Sequence, residues 1–218
     1  DGTVKDFVAE IPVAFPHANI ESKPFLIKLL DVLRADMPYE MYWLGNEPGI
    51  EYVTNGIKMH LIFSFEVAGN YAPGGAVGGY TVDKTKTGAA AVAAANAKAV
   101  AEATAGMSDY EKLVHFKEYI CNAVAYDWVA YEEYNKDKKN YPRKDSDPWQ
   151  VIHVFDGSVS TNVVCEGYAK AFQYLCDLAY ANEKLNAICY SVTGDLFQNG
   201  FEMGPHMWNL VQLDGERY

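Results

Sequence analysis

From Lys58 to Val67 hydrophobic and polar positions alternate. Met59, Leu61, Phe63, Phe65 and Val67 fall on one side, with Lys58, His60, Ile62, Ser64 and Glu66 on the other. A period of two predicts a half-buried strand. Elsewhere the period lengthens. Phe25, Leu29, Val32 and Leu33 form a helical stripe over residues 24–36, which Met37-Pro38 brings to an end. The aromatic stretch from Pro38 to Leu44, closed by Gly45-Asn46, predicts a short strand. Gly88 to Ala105 is alanine-rich, with Asn96, Lys98 and Glu102 as its polar marks, and predicts a closely packed helix. Ser108 and Glu111 have the spacing of a capping box, opening a helix that buries Leu113, Phe116, Ile120, Cys121 and Val124. Residues 126–149 are polar and studded with aromatics. A short helix around Trp149–Phe155 and a turn at Gly157 come next. Cys165, Tyr168, Ala169, Phe172, Leu175, Cys176 and Ala179 then share one helical face.

The chain closes in strands. Asn186–Val192 alternates loosely and His206–Leu213 reads as a second strand. Asp214-Gly215 is a hairpin signal that sets Leu213 opposite Glu216. Helices first and an antiparallel sheet last predict an α+β fold, not a doubly wound one. The Gly/Pro stretch at 69–79 is the best boundary candidate, though a short one. Residues 1–105 read as an N-terminal α/β extension, packed on a core at 106–218 and not independent of it.

Composition narrows the function classes. The 218 residues are 50% hydrophobic and 22% charged, enough to bury a core. A net charge of −11 argues against sequence-independent binding to nucleic acid or anionic membranes, which needs clustered Lys and Arg. No apolar run has the length of a membrane-spanning helix. The chain opens at Asp1 without a signal-like segment, as a processed form or a piece of a longer chain would. Its four cysteines include no C-x-x-C pair, and no H-E-x-x-H occurs among its five histidines. The Gly pairs between Tyr71 and Tyr80 match no phosphate-binding loop. No cofactor, metal or nucleotide is expected.

Cys165 is the one cysteine placed for nucleophilic work. In the first turn of a helix, unpaired N–H groups and the positive end of the macrodipole favour thiolate over thiol. Gly167 leaves room there for another backbone or a substrate. Cys121, Cys176 and Cys189 sit among apolar neighbours at core spacing and read as buried.

Cys165-Glu166-Gly167-Tyr168-Ala169, with His206-Met207-Trp208-Asn209 and the Asp214-Gly215 hairpin downstream, resembles the bacterial transglutaminase-like superfamily. That family's pattern is C-x-G-Y-A opening a helix, H-x-W-N on a strand, then a hairpin leading to an aspartate. The resemblance covers roughly residues 108–218, including Ser108–Leu113 and Val124–Asp127. The lead-in Leu33–Pro38 with Tyr42-Trp43 is similar to N-terminal extensions of Firmicutes members. The resemblance implies a papain-like α+β core and a Cys-His-Asp triad, with Cys165 as nucleophile and His206 as base. The Cys165 amide would meet the oxyanion, helped from the Tyr126–Trp128 region, with Tyr126, Trp128 and Trp208 as oxyanion or groove candidates. The third member would come after the hairpin, near position 221 and facing Trp208, so the core reads as truncated before it. Asp214 is the turn residue and not that member.

The implied activity is that of a cysteine enzyme cleaving amides through a thioester. A peptidase or amidase is favoured over a cross-linking enzyme, because the sequence shows no second site for an amine. The alternative is a non-catalytic cell-surface binding module that keeps the fold. The implied partner is a protein or peptide, a cell-wall peptide among the candidates, and the implied location is extracellular or at the cell surface. The other histidines read as structural: His60 solvated on its strand, His115 beside core residues, His17 in a turn, and His153 satisfied near the groove. Lys136–Lys139 with Arg143-Lys144 read as a solvated loop.

Overall fold

The structure, a computed structural model, describes residues 6–11, 32–33, 36–45, 49–55, 58–76, 79–136, 149–182 and 185–218. The chain divides into two compact units, Asp1–Gly88 and Ala89–Tyr218.

In the first unit β1 (Asp6–Ile11), β2 (Gly49–Asn55) and β3 (Lys58–Ser64) form an antiparallel sheet in the order β1-β3-β2. The strand expected from alternation is thus its centre, with Val8 opposite Ile62 on one side and Tyr52 opposite Leu61 on the other. Beyond β3 the pattern continues into Phe65 and Val67, both buried, and Val67 bridges Leu44. Phe65 packs with Leu44, Leu33, Met41 and Trp43.

The strand expected over Pro38–Leu44 is not formed. Pro38–Met41 is a short helix, α1, with Pro38 at its start. Proline's fixed φ is already helical, and its missing N–H is one a first turn leaves unpaired in any case, so it opens a helix here as readily as it ends the one before. Of the helix expected over 24–36, residues 32, 33 and 36 are described and helical. Phe25 and Leu29 lie outside the described residues, as do His17 and most of the Lys136–Lys144 segment. The Gly/Pro stretch holds a 3-10 turn at Pro73–Gly75, with Gly74 and Gly75 at positive φ.

The second unit is a layer of helices on an antiparallel sheet. Its helices are α2 (Gly88–Glu102), α3 (Asp109–Ala123), α4 (Trp128–Lys136), α5 (Trp149–Phe155) and α6 (Cys165–Ala181). Its strands β4 (Ala187–Gln198), β5 (Phe201–Leu213) and β6 (Glu216–Arg217) run in that order. The fold is α+β. The alanine-rich α2, grouped with the extension from sequence, falls in this unit. It buries Ala90, Ala93, Ala97, Val100 and Ala101, and Asn96 Nδ2 donates to Phe155 O at 2.8 Å.

The capping box forms as expected. Ser108 Oγ accepts from Glu111 N, and Glu111 Oε2 accepts from Ser108 N at 2.8 Å. Of the face expected on α3, Phe116, Ile120 and Val124 are buried and Leu113 is half-buried, whereas Cys121 is exposed and Lys112 is buried in addition. Lys112 can turn inward because Asp109 holds its ammonium at 3.0 Å, leaving the apolar stem to pack. Phe116, Ile152, Phe155 and Leu175 are fully buried at the centre of the unit.

The loose strand of 186–192 belongs to a long hairpin. Asn199 (φ 53°) and Gly200 (φ 82°) turn β4 into β5, as Asp214 (φ 52°) and Gly215 (φ 83°) turn β5 into β6. Positive φ at both central residues is the two-residue turn that matches strand twist, and it sets Leu213 opposite Glu216. Among the described residues no helix is long and apolar enough to cross a membrane.

Candidate active site

α6 begins at Cys165, as its sequence context predicts. Val164 at the N-cap is extended and offers no side-chain cap. Its own N–H is held instead by Gln150 Oε1 at 3.0 Å, which ties the helix start to buried α5. Val163 is clamped on its other side: Asp127 N donates to Val163 O at 3.0 Å and Val163 N to Ala125 O at 3.2 Å. Through this parallel bridge Tyr126 is carried to the mouth of α6. Gly167 serves the same junction. A Cβ there would lie 2.4 Å from Val163 Cβ and 2.9 Å from Gln150 O. The close approach is therefore filled by the protein's own chain and not by a substrate.

The Cys165 thiol is half-buried, and burial pushes its pKa above the ordinary value. This corrects the expectation of a thiolate favoured by the helix terminus. Desolvation penalises the anion more than the N–H donors of Met207 and Glu166 favour it, and the Glu166 carboxylate adds to the rise. Glu166 is itself paired with Lys170, a buried lysine one helical turn on. Tyr126 answers the same environment: burial first, then the neighbouring Cys165, push its phenol up to about 12.

β5 delivers the second group. Asn209 Nδ2 donates to Ala169 O at 2.9 Å, and its cross-strand partner Ser191 donates its hydroxyl to the same oxygen at 3.3 Å. These bonds pin the middle of β5 and β4 under α6. Alternation then sets His206 and Trp208 on the opposite face, where they stack at 6.2 Å and face Gly194 and Val192. Trp208 leans over Gly194, whose absent side chain makes the room: a Cβ there would meet the indole at 2.9 Å. β6 pairs with β5 only at Gln212 and Leu213, with Tyr218 bonded to Val211 beyond them. Between His206 and Leu210 the far edge of β5 carries no strand among the described residues. Met207 turns its N–H to the sulfur of Cys165, which places the thiol beside β5.

Two cavities meet there. The first, about 420 Å³, is bounded by Lys117, Cys121, Tyr168, Phe172 and Trp208. The second, about 450 Å³, is bounded by Ala130, Tyr131, Tyr134, Thr193, Asp195 and Met203. Tyr126, Cys165, His206 and Met207 line both. Cys165 and the β5 residue His206 therefore border the same two cavities, while alternation turns the His206 and Trp208 rings to the face of β5 away from Asn209; Tyr126 borders both cavities and Trp208 the first. Trp128 lines neither. It is 64% exposed, packed on Tyr126 at 4.6 Å and edge-on to Tyr131 at 5.9 Å. His153 also lies away from both cavities, with Asp156 at 3.4 Å and Trp149 beside it. His115 rests edge-on against Phe116, and the side chain of His60 lies outside the described residues.

Tyr131, Tyr134 and Asp195 were not singled out from the sequence. Asp127 caps α4, its carboxylate accepting from Ala130 N at 2.9 Å, and that N-cap signal marks the helix carrying both tyrosines. Asn199-Gly200 marks the hairpin that extends β4 to Asp195. Models of known protein families, curated proteins and solved structures were all compared with this chain, and none matches it.

Proposed function

We propose that this protein is a transglutaminase-like cysteine enzyme that opens amide bonds through a thioester, as a peptidase or amidase more than as a cross-linking enzyme. The observation that carries this reading is that Cys165, in the first turn of α6, lines the same two cavities as His206. The nucleophile helix laid on an antiparallel sheet is what a papain-like core would supply.

The resting thiol is neutral, so the reaction starts with proton transfer. His206 takes the proton as the sulfur attacks the amide carbonyl, and the oxyanion meets the Cys165 N–H with a second donor from the Tyr126–Trp128 region. The imidazolium then protonates the departing amine, and water, deprotonated by the same imidazole, resolves the thioester. A protein or peptide on the outer side of a cell, cell-wall peptide included, is the substrate class this reading takes.

A second reading, a non-catalytic binding module, draws support from the thiol's raised pKa. The experiment is acylation of the chain by a p-nitrophenyl ester, with intact mass as the readout. An acyl adduct that forms on Cys165 and turns over, disappears in Cys165→Ala and slows by roughly 10²–10⁴ in His206→Gln is the expected result. A chain that neither acylates at Cys165 nor hydrolyses the ester belongs to the second reading.

A further inference from the structure

The two cavities that share Cys165 differ in charge. Among the described residues the first holds Lys117 as its one lysine or arginine and no carboxylate. The second holds two carboxylates, Glu166 and Asp195, and no lysine or arginine among the described residues. The Glu166 charge is answered within its own helix by Lys170. Asp195 is different. It is exposed on β4, opposite Pro205, and its carboxylate makes no ion pair or hydrogen bond among the described residues. Tyr131 and Tyr134 line the same cavity, the first held in place by its hydroxyl, which donates to Met203 O at 3.1 Å.

A carboxylate with no partner among the described residues, sharing a cavity with two tyrosines, is the chemistry that recognises a cation, the carboxylate by charge and the rings by their negative faces. We propose that the second cavity is a subsite for a cationic group, an alkylammonium or guanidinium, carried by the substrate a few bonds from the amide that Cys165 attacks. This rests on the proposed enzyme reading and names its substrate class: peptides with a basic side chain or a free amino group on one side of the scissile bond. A volume of about 450 Å³ fits one such side chain. The first cavity, walled by Phe172 and Trp208, takes the apolar side.

The test needs no turnover. Three iodoacetamides with arms of equal length are used, ending in trimethylammonium, tert-butyl and carboxylate, and modification is tracked peptide by peptide by mass spectrometry. Cys121, exposed in the same molecule, is the internal reference for the attraction of the whole acidic chain, and the Asp195→Asn comparison separates the subsite from the repulsion of cations at Cys121 by its neighbour Lys117. The Cys165 to Cys121 rate ratio should be roughly five- to tenfold higher for the cationic arm than for the neutral one, and lowest for the anionic arm. Asp195→Asn should bring cationic and neutral arms within about twofold. Equal ratios in the native chain, or a cation preference that survives Asp195→Asn, would overturn the subsite. A cation preference in a chain that hydrolyses no ester supports the subsite while sinking the enzyme reading. Lost preference with intact Cys165-dependent hydrolysis does the reverse.

Discussion

At Gly167 one hydrogen decides whether the helix start can seat. An added methyl would meet Val163 at 2.4 Å and a backbone oxygen at 2.9 Å, and neither belongs to a flexible side-chain end. Gly167→Ala should cost about 1–3 kcal/mol, read as a lower urea midpoint, because the core cannot absorb the methyl without moving α6 or α5. An unchanged midpoint would mean that the junction is looser than its contacts imply. The thiol beside it makes a second prediction. Burial pushes Cys165 up, so its alkylation by iodoacetamide should rise with pH to a midpoint above the ordinary thiol value near 8.5, and fall back to that value in urea. A native midpoint below the unfolded one would show that an imidazolium partner outweighs desolvation.

Elements were legible where a local rule acts alone. The Ser108–Glu111 box and the Asp214-Gly215 turn are each written in a few neighbouring residues and each formed, as did the α6 helix, whose expected stripe is buried at Ala169, Leu175, Cys176 and Ala179 and half-buried at Cys165, Tyr168 and Phe172. Pro38 misled because proline is compatible with both ends of a helix, and packing around Leu44 and Phe65 selects the element it opens. Cys121 misled because a lysine took the buried position that apolar periodicity assigns to its neighbours, and Asp109 made that possible. Cys165 and His206 were legible as residue types in a motif. The cavity wall from α4 and β4 was not, since it is assembled by long-range pairing. Two element-scale losses can be measured. Ser108→Ala should cost about 1 kcal/mol as a lost cap. Asn209→Ala, which removes the shorter of the two side-chain bonds tying β5 and β4 to Ala169 O, should cost about 0.5–1.5 kcal/mol.

Over the whole molecule, several thiols and phenols act in the same direction, Cys176, Cys165 and Tyr126 among them. The Cys189 thiol beside it and burial hold Cys176 well above its ordinary pKa, burial raises Cys165, and burial raises Tyr126 to about 12. Each folded value exceeds the unfolded one, so above the unfolded pKa the native chain holds more protons than the unfolded chain does. Stability is then fully present below about pH 8.5 and is lost as pH climbs above it. Urea midpoints should agree between pH 7 and 8 and fall by pH 9.5. A midpoint that holds to pH 10 would show that these thiols and the phenol ionise without opening the fold.

The four cysteines also make the chain its own opening gauge. Cys121 is exposed, Cys165 half-buried, and Cys176 and Cys189 lie at 1% and 3% exposure where α6 meets β4. A slow thiol reagent under native conditions must therefore sample three different fluctuations of one molecule. Cys121 reports the reagent's intrinsic rate, Cys165 access through the cavities, and the buried pair the rare lifting of the helix from the sheet. When reclosing outruns labelling, the ratio of the slowest rate to the fastest is the equilibrium constant for that lifting, obtained without denaturant.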